Sequence, residues 1–137
     1  PLDCVLSCWM QNFNLNNAMA NMVDLDRIVD FYCVAMDVCQ LSQRRYGLNT
    51  HRVRYEDLVE NFEGEATNIL SFLDLEWEAG LRHYRATALA RGKIDTPSRS
   101  QVIKPIYKTA SYRWRHYETH MNKYKSKLAP WFEEFGY

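Results

Sequence analysis

Residues 24–47, DLDRIVDFYCVAMDVCQLSQRRYG, decide the longest element of the fold. Asp24 is a residue type that caps the first turn of a helix, and Gly47 is of the type that follows the last turn. Between them, apolar residues recur at the spacing of one helix face. The stretch therefore predicts a helix of about 22 residues that ends at Tyr46. The residues of the predicted face are Ile28, Phe31, Tyr32, Ala35, Met36 and Cys39.

The same periodicity predicts shorter helices before and after this one. The first is expected over residues 2–13, where Leu2, Val5 and Leu6 begin an apolar stripe. One long irregular loop is expected over residues 92–105, which contain glycine, two prolines and several hydroxyl residues. The remaining helices are predicted over residues 65–73, 78–90, 111–117 and 125–135.

Residues 50–55, THRVRY, have the β-branched and aromatic composition of a short strand. Glu56 and Asp57 follow at once and favour the start of another helix. A helix, a strand and a helix in this order are typical of an α/β fold, although one strand cannot form a sheet. The further strands are expected ahead of Pro1, because the sequence begins abruptly as if cut from a longer chain.

Composition fits one globular domain, because 47% of the 137 residues are hydrophobic. No apolar run approaches the roughly 20 residues that a membrane-spanning helix needs. The 17 basic and 17 acidic residues are divided unevenly, with 5 basic and 13 acidic before Arg82 and 12 basic and 4 acidic from Arg82 onward. The positive charge of the basic half would be neutralised by a phosphate-bearing ligand, by a nucleic acid or by the acidic half of the chain.

Four cysteines lie among apolar residues near the beginning of the chain, which favours reduced thiols and a cytoplasmic location. Two pairs at helical spacing, Cys4 with Cys8 and His116 with His120, have in principle the chemistry to bind a metal. Buried thiols and surface imidazoles explain them equally well, so no metal site is expected.

The loop at residues 96–107, TPSRSQVIKPIY, combines hydroxyl groups with two cations, and Arg113-Trp114-Arg115 follows it. Phosphate or sulfate oxygens accept charge-assisted hydrogen bonds from such groups. The loop is therefore a candidate anion site, with a merely solvated loop as the alternative.

Three segments in order carry a resemblance to a known family. They are PLDCVLS at residues 1–7, VRYEDL at 53–58 and PSRSQVIKPIY at 97–107, the last followed by Arg113-Trp114. Together they resemble the C-terminal half of a sulfotransferase, closest to the tyrosylprotein sulfotransferases and the bacterial sulfotransferases linked to tetratricopeptide repeats. The resemblance extends over all 137 residues. It implies that the chain is the C-terminal portion of one sulfotransferase domain.

The resemblance also implies an α/β fold with a P-loop-like core. Such a domain uses 3′-phosphoadenosine 5′-phosphosulfate (PAPS) as its cosubstrate and releases adenosine 3′,5′-bisphosphate. Ser7 and Arg113 match residues that hold the 3′-phosphate, and Ser7 is expected near a helix start, where backbone amides favour an anion. Ser98 matches a catalytic serine near the sulfuryl group, and Tyr55 matches a tyrosine that contacts the adenine. The cofactor-covering loop contributes Ser98, Gln101, Val102 and Lys104.

The partners implied are a nucleotide sulfate donor and a hydroxyl acceptor such as a protein tyrosine, with no nucleic acid. The phosphosulfate loop and the acidic general base are expected ahead of Pro1, so this chain alone is expected to be inactive. An animal relative would place it in the Golgi lumen instead of the cytoplasm. One alternative is a nucleic-acid-binding module that uses the aromatic residues of the basic half. Another is a protein-interaction domain without a small ligand.

Overall fold

The computed structural model describes residues 1–14, 16–90 and 103–137, which form helices and turns. Short 3₁₀ helices cover Met19–Val23, Ala79–His83, Arg113–Tyr117 and Asn122–Tyr124. The α-helices of these ranges are α1 (Leu2–Trp9), α2 (Leu25–Tyr46), α3 (Tyr55–Glu60), α4 (Phe62–Phe72), α5 (Tyr84–Ala90), α6 (Glu118–Met121) and α7 (Lys125–Phe135).

The predicted α/β fold is wrong for this chain, because no described residue lies in a β-strand. In the segment expected to be a strand, residues 50–54 have no regular structure and Tyr55 already begins α3. Its last residue before the helix, Arg54, does have extended dihedral angles of φ −90° and ψ 134°. A strand also needs a neighbouring strand to share its backbone hydrogen bonds, and no described segment supplies one.

Helix α2 confirms the prediction made from residues 24–47. It spans 22 residues, and the Asp24 side chain accepts a hydrogen bond of 2.8 Å from the backbone amide of Arg27. At the other end Gly47 adopts a left-handed conformation with φ 58°, which costs glycine little because it has no Cβ. Local capping chemistry therefore sets both ends of this helix.

Helix α1 is shorter than the sequence predicted, since it ends at Trp9 and not at residue 13. Residues 12–17 include four asparagines, whose side chains bond to nearby backbone groups and favour turns over helix. The shortened helix keeps its core residues, and Leu2, Val5 and Leu6 are all buried.

The later helices lie where the sequence predicted them, but several of their boundaries differ. Helix α4 starts three residues before the predicted segment because the Asn61 side chain accepts a hydrogen bond of 3.1 Å from the Gly64 amide. The predicted helix over residues 78–90 divides into the 3₁₀ turn Ala79–His83 and α5. Helix α7 occupies the predicted residues 125–135, whereas α6 was not predicted.

Contacts divide the chain into two compact units. The first comprises Pro1–Asn49 with Tyr112–Tyr137, and the second is Thr50–Ser111. Ala88 is buried in the second unit, where the rings of Phe62 and Tyr84 lie 6.2 Å apart. Among the described residues of the first unit, nine buried side chains form the core: Leu2, Val5, Leu6, Ile28, Val29, Met121, Tyr124, Leu128 and Trp131.

Ion pairs between the acidic and basic halves account for part of the uneven charge. In the first unit, the ammonium group of Lys123 lies 3.2 Å from Asp26 of α2, and that of Lys127 bonds to Asp30. In the second unit, the guanidinium group of Arg82 lies 2.9 Å from Glu63. These exposed pairs each contribute little to stability, but they show that the acidic half satisfies several cations of the basic half.

We expect the Asp26 contact to make stability depend on pH. Hydrogen bonds from the Tyr124 hydroxyl and from Lys123 lower the pKa of Asp26 below its ordinary value of 3.8. A lowered native pKa gives stability that is present above pH 3.8 and is lost as pH falls through the native value. Thermal unfolding of Asp26→Asn should therefore show less acid destabilisation than the unsubstituted protein. Asp74→Asn is the control, and equal acid sensitivity of Asp26→Asn and the unsubstituted protein would contradict the assignment.

Candidate functional site

One hydrogen bond joins the beginning of the chain to its last quarter in the first unit. Asp3 of α1 accepts a bond of 2.8 Å at its Oδ1 atom from the backbone amide of Trp114. The bond is partly buried, and a carboxylate acceptor makes it stronger than a bond between neutral groups. It holds α1 against the turn Arg113–Tyr117.

Ser7 lies in the last turn of α1 and is exposed. The expectation that Ser7 stands near a helix start is wrong, so the free amides of the first turn are not beside it. Ser7 is one helical turn beyond Asp3, and residues four apart share a helix face. Its hydroxyl group is therefore on the side of α1 that carries the contact with Trp114.

Arg113 is the first residue of the turn that Asp3 holds, and it is exposed. Nearby cations lie over aromatic rings, with Arg115 4.6 Å from the Tyr112 ring and Lys125 4.6 Å from the Trp114 ring. Arg113 forms no ion pair with any residue that the structure describes. Its guanidinium group has five donors, which suits two oxygens of a phosphate.

Tyr55 of the second unit is the first residue of α3, and its ring is exposed. Its hydroxyl donates a hydrogen bond of 2.8 Å to the backbone carbonyl of Tyr107. Partial burial and the neighbouring Tyr107 raise the pKa of Tyr55. The structure thus brings the candidate adenine contact to the end of the candidate anion loop.

The same end of the loop is held by two side chains that the sequence did not single out. The Tyr84 hydroxyl donates 3.1 Å to the carbonyl of Lys104, and Arg85 Nε donates 3.1 Å to the carbonyl of Ile103. The Lys104 side chain is exposed and makes no ion pair within the described ranges. Lys104 is therefore anchored through its backbone, and its ammonium group is available to a ligand.

The other predicted site residues, Ser98, Gln101 and Val102, lie outside the described residues. Of the predicted set, Tyr55 and Lys104 belong to the second unit, whereas Ser7 and Arg113 belong to the first. Asp3, Tyr84 and Arg85 were missed because their bonds join residues 111, 20 and 18 positions apart, which no local pattern reveals.

The thiols and imidazoles do not assemble a metal site in the described part of the chain, where no group of three or more ligating side chains occurs. All four cysteines are free thiols. A hydrogen bond from the Cys8 thiol lowers the pKa of Cys4 to about 7, and the same bond raises that of Cys8. Within the described ranges, no helix is both long enough and apolar enough to traverse a bilayer.

Comparison with known proteins defines the family of this chain. The sequence pattern of the sulfotransferase family matches residues 1–79, which include Ser7 and Tyr55. The chain therefore belongs to the sulfotransferase family.

One curated relative is a protein of Aquifex aeolicus (strain VF5) that is described as an uncharacterized protein. It is 26% identical over 121 residues, which cover 88% of this chain but only 16% of the relative. The chain thus spans about a sixth of that relative's length. No solved structure matches the chain.

Proposed function

We propose that the protein transfers a sulfuryl group from PAPS to an acceptor hydroxyl, and that this chain binds the adenosine 3′-phosphate end of the donor. The observation that carries the proposal is the bond between Asp3 and Trp114. It holds Ser7 and Arg113 on two elements in contact, within a chain of the sulfotransferase family. Adenosine 3′,5′-bisphosphate is the proposed product.

Ser7 and Arg113 would bind the 3′-phosphate together. Both side chains are exposed, and Arg113 has no competing carboxylate among the described residues. The Ser7 hydroxyl supplies one donor, and the guanidinium group supplies a planar pair of donors and a full charge. A dianionic phosphate ester is the ligand that satisfies such a set best.

In the second unit, considered by itself, Tyr55 and Lys104 are the residues proposed to contact the donor. The exposed Tyr55 ring offers a face or an edge to the adenine, while its hydroxyl is already bonded to Tyr107. The Lys104 ammonium group would then lie on a segment that Tyr84 and Arg85 hold in place. The resemblance further proposes Ser98 at the sulfuryl group and Gln101 and Val102 as donor contacts, all three outside the described residues.

Sulfuryl transfer is chemically similar to phosphoryl transfer, in which positioning and charge stabilisation supply most of the rate enhancement. The acceptor oxygen attacks sulfur in line as the bond to the bridging phosphate oxygen breaks. Residues that bind the far end of the donor supply the positioning. We propose that the phosphosulfate loop and the general base belong to another part of the protein, and that the acceptor is a protein tyrosine or another hydroxyl.

Binding of nucleic acid is the weaker proposal because a cation already lies over three aromatic rings of the basic half. Arg115, Lys125 and Lys123 lie over the rings of Tyr112, Trp114 and Tyr124 at 4.6–4.7 Å. Tyr124 is also buried in the core. Base stacking needs an open ring face, and these faces have intramolecular partners.

The experiment that tests the proposed activity compares Ser98→Ala with Ser100→Ala in the full-length protein. Formation of adenosine 3′,5′-bisphosphate from PAPS is followed with tyrosine peptides and simple phenols as acceptors. Loss of a donor at the reacting group lowers turnover on the order of a hundredfold, so Ser98→Ala should fall by that factor. Ser100→Ala should stay near the unsubstituted rate. Equal rates for the two variants would remove Ser98 from the catalytic site.

A further inference from the structure

Two cations of the second unit have no acidic partner among the described residues. Arg85 and Lys104 are both exposed, and neither forms an ion pair with a residue that the structure describes. The nearby Arg82 differs, because its guanidinium group lies 2.9 Å from a carboxylate oxygen of Glu63. The positive charges of Arg85 and Lys104 are therefore available to an anionic ligand.

Two hydrogen bonds bring these cationic residues to one place in the second unit. The Nε atom of Arg85 donates a bond of 3.1 Å to the carbonyl of Ile103, the residue before Lys104. The Tyr84 hydroxyl donates a bond of 3.1 Å to the carbonyl of Lys104 itself. Residues 103 and 104 belong to no helix, so side chains supply the donors that these carbonyls need. Consecutive residues of α5 therefore hold the two consecutive residues 103 and 104.

Arg85 has hydrogen-bond donors left after it binds the backbone. A guanidinium group carries five N–H donors, and the bond to Ile103 uses the one at Nε. The donors on its terminal nitrogens form no hydrogen bond with a described residue. Because the Nε bond restricts the rotation of the group, less conformational entropy is lost when the terminal donors bind an oxyanion.

We propose that Arg85 and Lys104 together bind an oxyanion of the nucleotide donor, and that Tyr84 positions Lys104 for this contact. The inference rests on the proposed function, and it adds Arg85, which lies outside residues 1–79 of the family match and outside the motifs of the resemblance. The terminal donors of Arg85 and the ammonium group of Lys104 would bind oxygens of one phosphate. Arg85 would contact the donor directly, whereas Tyr84 would act only through Lys104.

Calorimetric titration of the full-length protein with adenosine 3′,5′-bisphosphate tests this inference. Arg85→Met and Lys104→Met each remove a charge-assisted contact, so each should weaken binding at least about tenfold. Arg85→Lys should recover part of the affinity, because it keeps the charge but loses the planar pair of donors. Arg82→Met is the matched control, since Arg82 is an exposed cation of the same unit that is paired with Glu63. Arg82→Met should change the affinity by less than about threefold.

Binding measured in the Lys104→Met background separates the role of Arg85 from that of Tyr84. Tyr84→Phe should weaken binding about threefold when Lys104 is present and should have no effect when Lys104 is replaced. Arg85→Met should weaken binding in both backgrounds, with thermal unfolding used to verify that each variant is folded. A Tyr84→Phe effect of equal size in both backgrounds would overturn the positioning role. An Arg85→Met effect that disappears in Lys104→Met would overturn the direct contact.

Failure of this inference can be distinguished from failure of the proposed function. Arg85→Met and Lys104→Met could bind the bisphosphate as Arg82→Met does, while the unsubstituted protein still prefers the bisphosphate to adenosine 5′-monophosphate. That result would overturn the anion site at Arg85 and Lys104 and leave the proposed 3′-phosphate site intact. Absence of the preference in the unsubstituted protein would contradict the proposed function and this inference together.

Discussion

The Arg113→Ala variant is expected to bind adenosine 3′,5′-bisphosphate about a hundredfold more weakly than the unsubstituted protein. Arg113 begins the turn that Asp3 holds, and its guanidinium group meets no described carboxylate. A guanidinium group that binds two oxygens of a phosphate dianion makes two charge-assisted hydrogen bonds, each worth about 1.5–3 kcal/mol. Isothermal calorimetry measures the loss directly.

Arg115→Ala is the matched control, because Arg115 lies two residues away in the same turn and stacks on Tyr112. Arg115→Ala should change the affinity for adenosine 3′,5′-bisphosphate by less than about threefold, because only a salt-screened attraction at the surface is removed. Arg113→Lys should retain part of the affinity, since it keeps the charge but loses the fork. If Arg113→Ala and Arg115→Ala weaken binding equally, the assignment of the 3′-phosphate to Arg113 is wrong.

The Leu128→Ala variant is expected to lower the free energy of unfolding by about 2–5 kcal/mol. Leu128 is fully buried on α7 within the core that α1 and α2 also form. Removing three carbons there loses burial and leaves a cavity that a close-packed core fills only in part. Equilibrium unfolding in urea gives the difference.

Leu89→Ala provides the comparison on the surface, because Leu89 of α5 is exposed. The same change of residue should alter the free energy of unfolding by no more than about 0.5 kcal/mol there. A loss at Leu128 as small as that at Leu89 would contradict the description of the core.

The sequence predicted the elements whose ends depend on local chemistry. Asp24 and Gly47 set the ends of α2 through a capping bond and a left-handed glycine, and both residues are recognisable without a structure. The end of α1 was placed too late because apolar periodicity continued to residue 13, although the asparagines that follow Gln11 favour a turn. Apolar periodicity alone predicts which face of a helix is buried, but it does not predict the residue at which the helix ends.

The strand at residues 50–55 was predicted from composition, and it is wrong because a strand depends on pairing with another segment. The site could be predicted only in part for a similar reason. Tyr55 and Lys104 follow from motifs, whereas the bonds from Tyr55 to Tyr107 and from Tyr84 to Lys104 require the fold. The Asp3 contact, which supports the proposed phosphate site, has no sequence signal.

The affinity for adenosine 3′,5′-bisphosphate relative to adenosine 5′-monophosphate tests the central claim most directly. The two ligands differ only in the 3′-phosphate that Ser7 and Arg113 are proposed to bind. We expect the bisphosphate to bind at least about a hundredfold more tightly, with most of that preference lost in Arg113→Ala. Equal affinities of the unsubstituted protein for the two nucleotides would contradict the account.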